Sequence, residues 1–266
     1  MFKNLKYKVP VFAKRKDVRE QLYPQEFFPD DIFLVSYPKS GNTWLRFLIG
    51  NAISDNNCDF SNIHQLVPDI FRNRDVCSTL ARPRFMKSHL YFVPDFGRVV
   101  YLVRDGRDVA VSFYYHSLKK GNIPLTTSFA EFLKMFNKGK VKPRVRTWSN
   151  HVNSWLDSKT DNILLLKYED MKRDTFGELK RVFEYFDIPM AREQLISAVA
   201  ASEFSRMQSL EKEQNDKYHD FVNTDPSIPF MRKGKVGDWK EYFTKEQLKD
   251  FIDIHGAALR RLGYLL

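Results

Sequence analysis

The chain alternates short apolar runs with longer amphipathic stretches. Ile32-Phe33-Leu34-Val35 contains no polar residue, and comparable runs predict strands over 32–37, 84–88, 98–103 and 162–167. Runs of this kind suit strands buried on both faces, hence a parallel sheet with helices on either side. Apolar residues at helical spacing predict helices over 43–53, 107–119, 144–158, 173–186, 190–201 and 244–262. This succession implies an α/β fold organised as one domain over residues 1–266. The helices beginning at 43 and 107 follow their strands through very short connections. Both connections therefore lie at the carboxyl edge of the sheet, where open α/β folds bind ligands. Residues 54–83 and 206–240 are polar and turn-rich. Loops of such length act as lids or substrate-binding segments, with disorder as the competing reading.

Composition narrows the picture modestly. With 266 residues, 43% of them hydrophobic, the chain can bury one sizeable core. Its 43 basic and 33 acidic side chains leave a formal charge of +10, which favours an anionic partner without saying which kind. The basic segment 1–28 reads as a solvated arm, peripheral contact with an anionic membrane surface being the alternative. Cys58 and Cys77 are too few for a disulfide framework, so a reducing, cytoplasmic setting is expected. No apolar run approaches the ~20 residues of a membrane span, and Lys and Arg interrupt the N-terminus too often for a signal-peptide core.

Three loops carry candidate chemistry. The first, "SYPKSGNTW", follows the first strand: Gly41 lets the backbone fold close to a ligand, a helix N-terminus follows, and Lys39 adds a charge. Phosphate cradle and plain turn, with Asn42 or Thr43 as N-cap, both fit that string. It is not the standard nucleotide-triphosphatase loop, because Lys39 precedes the glycine. Trp44 either stacks on a base or belongs to the core. The second, "RDGRDVAVS", ends a strand at Arg104, a residue suited to bidentate phosphate contacts, with Ser112 eight positions on. The competing reading pairs Arg104, Asp105, Arg107 and Asp108 with one another at the surface. The third, "RFMKSHL", ends a strand with Lys87-Ser88-His89, and His89 suits proton transfer near neutral pH.

A basic turn, "PFMRKGKVGDW", lies near the C-terminus. Together with "YPKSGNTW" and "RDGRDVAVS" it closely resembles the sulfotransferases that use 3′-phosphoadenosine 5′-phosphosulfate (PAPS), the cytosolic type in particular, across residues 30–244. The resemblance implies a P-loop-like sulfotransferase fold related to nucleotide kinases. It also implies PAPS as co-substrate, adenosine 3′,5′-bisphosphate (PAP) as product, and no metal. By the same resemblance, Lys39, Ser40, Gly41, Asn42 and Thr43 hold the 5′-phosphosulfate and Trp44 stacks on adenine. Arg104 and Ser112 contact the 3′-phosphate, while Arg232, Lys233 and Gly234 close over it, preceded by Phe230 and Met231. Tyr168, Ser202 and Phe204 fall at further nucleotide-contacting positions. His89 matches the general base, Lys87 the lysine on the sulfuryl oxygens, and Lys39 the lysine on the departing phosphate oxygen. Ser112 takes a further implied role, holding Lys39 back until an acceptor arrives. Residues 206–240 become the lid and cofactor clamp.

Two departures stand out. Asn42 occupies a position where animal members often have Thr. The family's dimerisation motif keeps Lys240 and Thr244 but has Lys245 and Lys249 at its Val and Glu positions, so monomer and homodimer both stay open. The expected partner is a small, partly apolar hydroxyl (or amine) compound, with a glycan or lipid headgroup as the alternative acceptor. Two rivals are weaker. A phosphotransferase lacks its loop and a magnesium-binding acid here, and a basic nucleic-acid-binding protein leaves the three loops unexplained.

Overall fold

The structure, a computed structural model, describes residues 26–142 and 145–266. The basic arm expected at the N-terminus therefore lies, up to residue 25, outside the described residues. Four strands are described: β1 (Ile32–Ser36), β2 (Phe85–Ser88), β3 (Arg98–Val103) and β4 (Ile163–Lys167). They pair in parallel in the order β2-β1-β3-β4. Every residue of β1 is buried, as an unbroken apolar run in a doubly covered sheet requires.

Alternation along the strands separates two cores. Phe33, Val35, Val99, Tyr101 and Val103 face one side. There they meet α4 (Gly106–Lys119), α5 (Phe129–Asn137), α6 (Trp148–Leu156) and α11 (Lys245–Arg261). Ile32, Leu34, Val100, Leu102, Leu164 and Leu166 face the other side. They pack on α1 (Asn42–Ile53), α7 (Tyr168–Arg173), α8 (Thr175–Tyr185) and α9 (Arg192–Ala201). The remaining helices are α2 (Ile63–Leu66), α3 (Arg74–Thr79) and α10 (Phe204–Glu213), with a 3₁₀ turn at Asp238–Glu241.

The expected α/β architecture and parallel sheet are thus present, with corrections in detail. The helix expected over 144–158 is confined to Trp148–Leu156, where Thr147 caps it by accepting from the Asn150 N–H. The one expected over 173–186 begins at Thr175, after the separate short α7. Helix α5 was not foreseen, and the segment 206–240 opens inside helix α10 instead of being all loop. Likewise, α2 and α3 punctuate 54–83. Thr244, a residue of the dimerisation motif, is engaged in a capping box with Gln247 at the start of α11.

Strand order fixes where a ligand fits. The chain leaves β1 towards β2 on one side, while β3 occupies the other, so the loops after β1 and β3 diverge and open a crevice at their carboxyl ends.

Candidate active site

A cavity of about 960 Å³ fills that crevice. Lys39, Gly41, Asn42, Thr43, Trp44 and Lys87 line it. So do His89, Arg104, Ser112, Tyr168, Phe204 and Phe230–Gly234. Two expected contributors do not line it. Ser40 is buried with its hydroxyl unpartnered. Ser202 is fully buried, accepting from the Asn51 amide through Oγ (3.0 Å) and from the Trp44 indole through its carbonyl (3.0 Å).

The loop after β1 is shaped as an anion cradle. Lys39 and Gly41 both adopt positive φ, 72° and 101°. Gly41 itself is the N-cap of α1, correcting the expected Asn42 or Thr43, and no side chain caps the helix. Its first N–H groups are therefore left for a ligand. Asn42 turns inward instead, donating to the Leu34 carbonyl at 3.0 Å and to Ser36 Oγ at 3.2 Å, which ties the helix start to β1. A Cβ on Gly41 would come within 2.6 Å of the Tyr168 ring, so both the dihedral and the space demand glycine. Lys39 Nζ lies 4.3 Å from the Phe230 ring centroid and makes no hydrogen bond to Ser112 among the described residues. Burial lowers its pKa to about 8, against the pull of Asp220.

At the end of β3, Arg104 is held on three sides. Its Nη2 donates to the Lys235 carbonyl at 2.9 Å, its guanidinium sits 4.3 Å above the Tyr168 ring, and Asp108 lies 3.5 Å away. Its Nε is buried and unpartnered. The pairing foreseen among the charges of this turn does occur, though buried instead of at the surface. Asp105 takes Arg107 (2.6 Å) and caps α4, while Asp108 attends to Arg104 and more distant backbone. Trp44 and Tyr168 meet edge to face at 5.6 Å.

The segment expected to act as a clamp is anchored by carboxylates that no local pattern announces. Asp108 accepts from the Gly237 and Trp239 N–H groups at 2.8 and 2.9 Å. Glu211 accepts from the N–H groups of Phe230 and Met231 at 2.6 and 2.7 Å. Asp238 pairs with Arg232 and, at 2.9 Å, with Lys233. Gly234, at φ 59°, passes so near Phe204 that a Cβ would lie 2.8 Å from the ring.

Beside β2 stands the candidate acid–base group. His89 Nδ1 is 2.7 Å from the Ser36 carbonyl, which can only accept, so Nδ1 carries the proton and Nε2 is left as acceptor. Burial first, then the charges of Lys87 and Lys142, hold the imidazole pKa well below the ordinary histidine range. The ring is neutral at pH 7. Lys87 Nζ is 2.7 Å from Asp69, which was not foreseen. Burial pushes the Asp69 carboxyl up, but the Lys87 charge and its hydrogen bond outweigh that and keep it ionised. Sequence reasoning also missed Arg72, Lys120, Lys142, Lys172, Asp220 and Lys235 in the cavity wall. Lys172 alone had a local signal, standing one helical turn beyond Tyr168.

Comparison with known proteins agrees with this geometry. Residues 29–263 match the family model of the sulfotransferase domain. Sulfotransferase 1E1 of Bos taurus is 32% identical over 93% of this chain and 89% of its own length. Sulfotransferase 2B1 of Homo sapiens is 32% identical over 89% of this chain and 68% of its own. Among solved structures, mouse sulfotransferase SULT7A1 complexed with PAP superposes with a TM-score of 0.71 at 30% identity, covering 88% of this chain and 85% of that one. Retinol dehydratase in a complex with retinol and PAP gives a TM-score of 0.75 at 22% identity, covering 92% and 86%, and supports the fold. The chain belongs to the PAPS-dependent sulfotransferase family.

Proposed function

We propose that this enzyme moves the sulfuryl group of PAPS to a hydroxyl of a small acceptor, with His89 as general base. One observation carries the reading: the 2.7 Å contact of His89 Nδ1 with the Ser36 carbonyl leaves Nε2 as the basic atom of a ring that lines the cavity shared by Lys39 and Arg104. When bound, PAPS supplies a sulfuryl group attached to a phosphate leaving group. The residues present suit it. The uncapped start of α1, with Lys39 to Thr43, would hold the 5′ end, and Trp44, Tyr168 and Phe204 would flank adenine. The unpartnered Arg104 Nε, Ser112 and the Arg232–Gly234 clamp would take the 3′-phosphate.

His89 Nε2 takes the acceptor's hydroxyl proton as the oxygen attacks. Lys39 stabilises charge growing on the departing phosphate oxygen, and Lys87, oriented by Asp69, faces the sulfuryl oxygens. The same reading makes residues 206–240 the lid and clamp of a single functional domain. It describes a cytoplasmic enzyme, monomer or homodimer, acting on small molecules and not on nucleic acid, and it requires no metal.

Transfer of labelled sulfate from PAPS to a panel of phenols, alcohols and amines tests the assignment, with His89→Gln alongside. Loss of a general base lowers turnover roughly 10²- to 10⁴-fold, while PAP affinity, measured by calorimetry, should hold. Equal rates for wild type and variant would remove His89 from the chemistry.

A further inference from the structure

The cavity beyond His89 carries more positive charge than the reaction uses. Four cations line it there, Arg72, Lys87, Lys120 and Lys142, against two carboxylates, Asp69 and Asp220. Three of the cations are accounted for. Lys87 is paired with Asp69 at 2.7 Å, and Lys120 and Arg72 share Asp220 at 3.3 and 3.7 Å. Lys142 is different: among the described residues it has neither a hydrogen bond nor an ion pair, and its side chain is bared to the cavity. The charges that act on it most are Lys87, Arg72, Asp69 and Asp220, none of them from the nucleotide half. Burial, then the Lys87 and Arg72 charges, lower its pKa to about 8, so it is still mostly charged at neutral pH.

Lys142 is exposed, so water solvates its ammonium, and an anionic ligand entering the cavity can take that water's place and pair with it. The nucleotide's anionic ends are matched elsewhere, by Lys39, Arg104 and the clamp. The same cavity has an apolar part, to which Phe71, Leu90, Val141 and Val145 contribute, all packed in the core cluster on one side of the sheet. Resting on the sulfotransferase reading above, we infer that the acceptor is a hydroxylated ring compound with an anionic substituent. Its hydroxyl faces His89, its ring lies on the apolar wall, and its anion, a carboxylate or group of like charge, pairs with Lys142. This narrows the partly apolar acceptor expected from the sequence to an amphipathic, negatively charged one. Lys142 thereby becomes a specificity-determining residue, with the half-exposed Arg72 in support.

Three phenols of similar size differing only in the tail test this: hydroxyphenylpropionate, propylphenol and hydroxyphenylethylamine. Wild type should show kcat/KM for the carboxylate about 10-fold or more above that for propylphenol, the size of one charge-assisted contact. Lys142→Met, which keeps the stem, should erase that ratio, and Lys142→Glu should turn the preference towards the amine. PAP titration verifies that both variants are folded. A wild-type preference for propylphenol, or a ratio untouched by Lys142→Met, overturns the inference while leaving sulfuryl transfer intact. Calorimetric binding of hydroxyphenylpropionate to the enzyme–PAP complex, weakened by Lys142→Met, would uphold the anionic subsite even if no sulfate were transferred. That second result would overturn the reaction alone.

Discussion

A histidine acts as a base only while neutral, and a lysine stabilises a departing oxygen only while charged. The two residues proposed for these roles are both displaced downwards by burial, His89 well below the ordinary histidine range and Lys39 to about 8. Those directions define a window. Lowering the pH protonates the base, so kcat/KM must fall on the acid side, and the depressed His89 places that fall below the ~6.5 of an ordinary imidazole. Raising the pH discharges Lys39, so kcat/KM should fall again above about 8. Arginine stays protonated throughout, hence Lys39→Arg should lose the alkaline limb, at reduced turnover, and keep the acid one. An acid limb centred near pH ~7 would show that His89 is not held as the geometry requires. Lys39, His89 and Arg104 were legible in the sequence because each stands where an apolar run stops, and such ends gather at one edge of a parallel sheet. Lys142, Asp69 and Asp220 were not. Their meaning comes from partners brought near by folding, and no spacing along the chain encodes it.

Elements show the same division. The strands were readable because burial on both faces leaves no room for polar residues, whereas α10 turns only Met207 and Leu210 inward and so lacks a strong periodic signature. Helix α5 did carry a signal that went unread: Ser128 and Glu131 form a capping box, and Phe132, Leu133 and Phe136 share a buried face. Least legible was the link between α4 and the clamp, where Asp108 reaches the amides of Gly237 and Trp239 across about 130 residues of chain. One carboxylate thus fixes the segment that carries Arg232 to Lys235 while also standing beside Arg104. Asp108→Asn leaves a single acceptor oxygen for two amides and puts an NH₂ group against one of them. Disturbing such buried hydrogen bonds costs about 1–3 kcal/mol, so PAP affinity should drop roughly 10- to 100-fold. Exchange of the Gly237 and Trp239 amides should quicken while the amides of β1 and β3 keep their protection. Unchanged PAP affinity would mean that the clamp does not depend on α4.

Across the whole molecule, the core that positions this site also contains groups that resist protonation. His151 and His255 are fully buried, between α6, α11 and the sheet. His151 Nδ1 lies 3.0 Å from the Tyr101 hydroxyl and His255 Nδ1 lies 2.8 Å from Ser149 Oγ, while the Nε2 atoms of both are unpartnered. Burial lowers their pKa values to about 3 and about 4, against ~6.5 in an unfolded chain. The sign follows from proton counting. Between those values the unfolded state binds protons that the native state refuses, so stability is full above pH ~6.5 and declines as the pH falls towards 4. Each such histidine contributes a slope of at most about 1.4 kcal/mol per pH unit, so the two together remove on the order of 5 kcal/mol by pH ~4, a large share of a typical folding free energy. A net charge of +10, growing as carboxylates protonate, adds self-repulsion in the same direction. Urea unfolding followed from pH 7 to 4.5 should therefore show a steep loss of stability. Replacing one contributor, His255→Gln, should lower stability at pH 7 through lost packing yet flatten the slope by roughly one proton. If variant and wild type lose stability in parallel, His255 is already protonated in the native state, and the sealed core on that side of the sheet, which holds β3 and Arg104 in place, admits water.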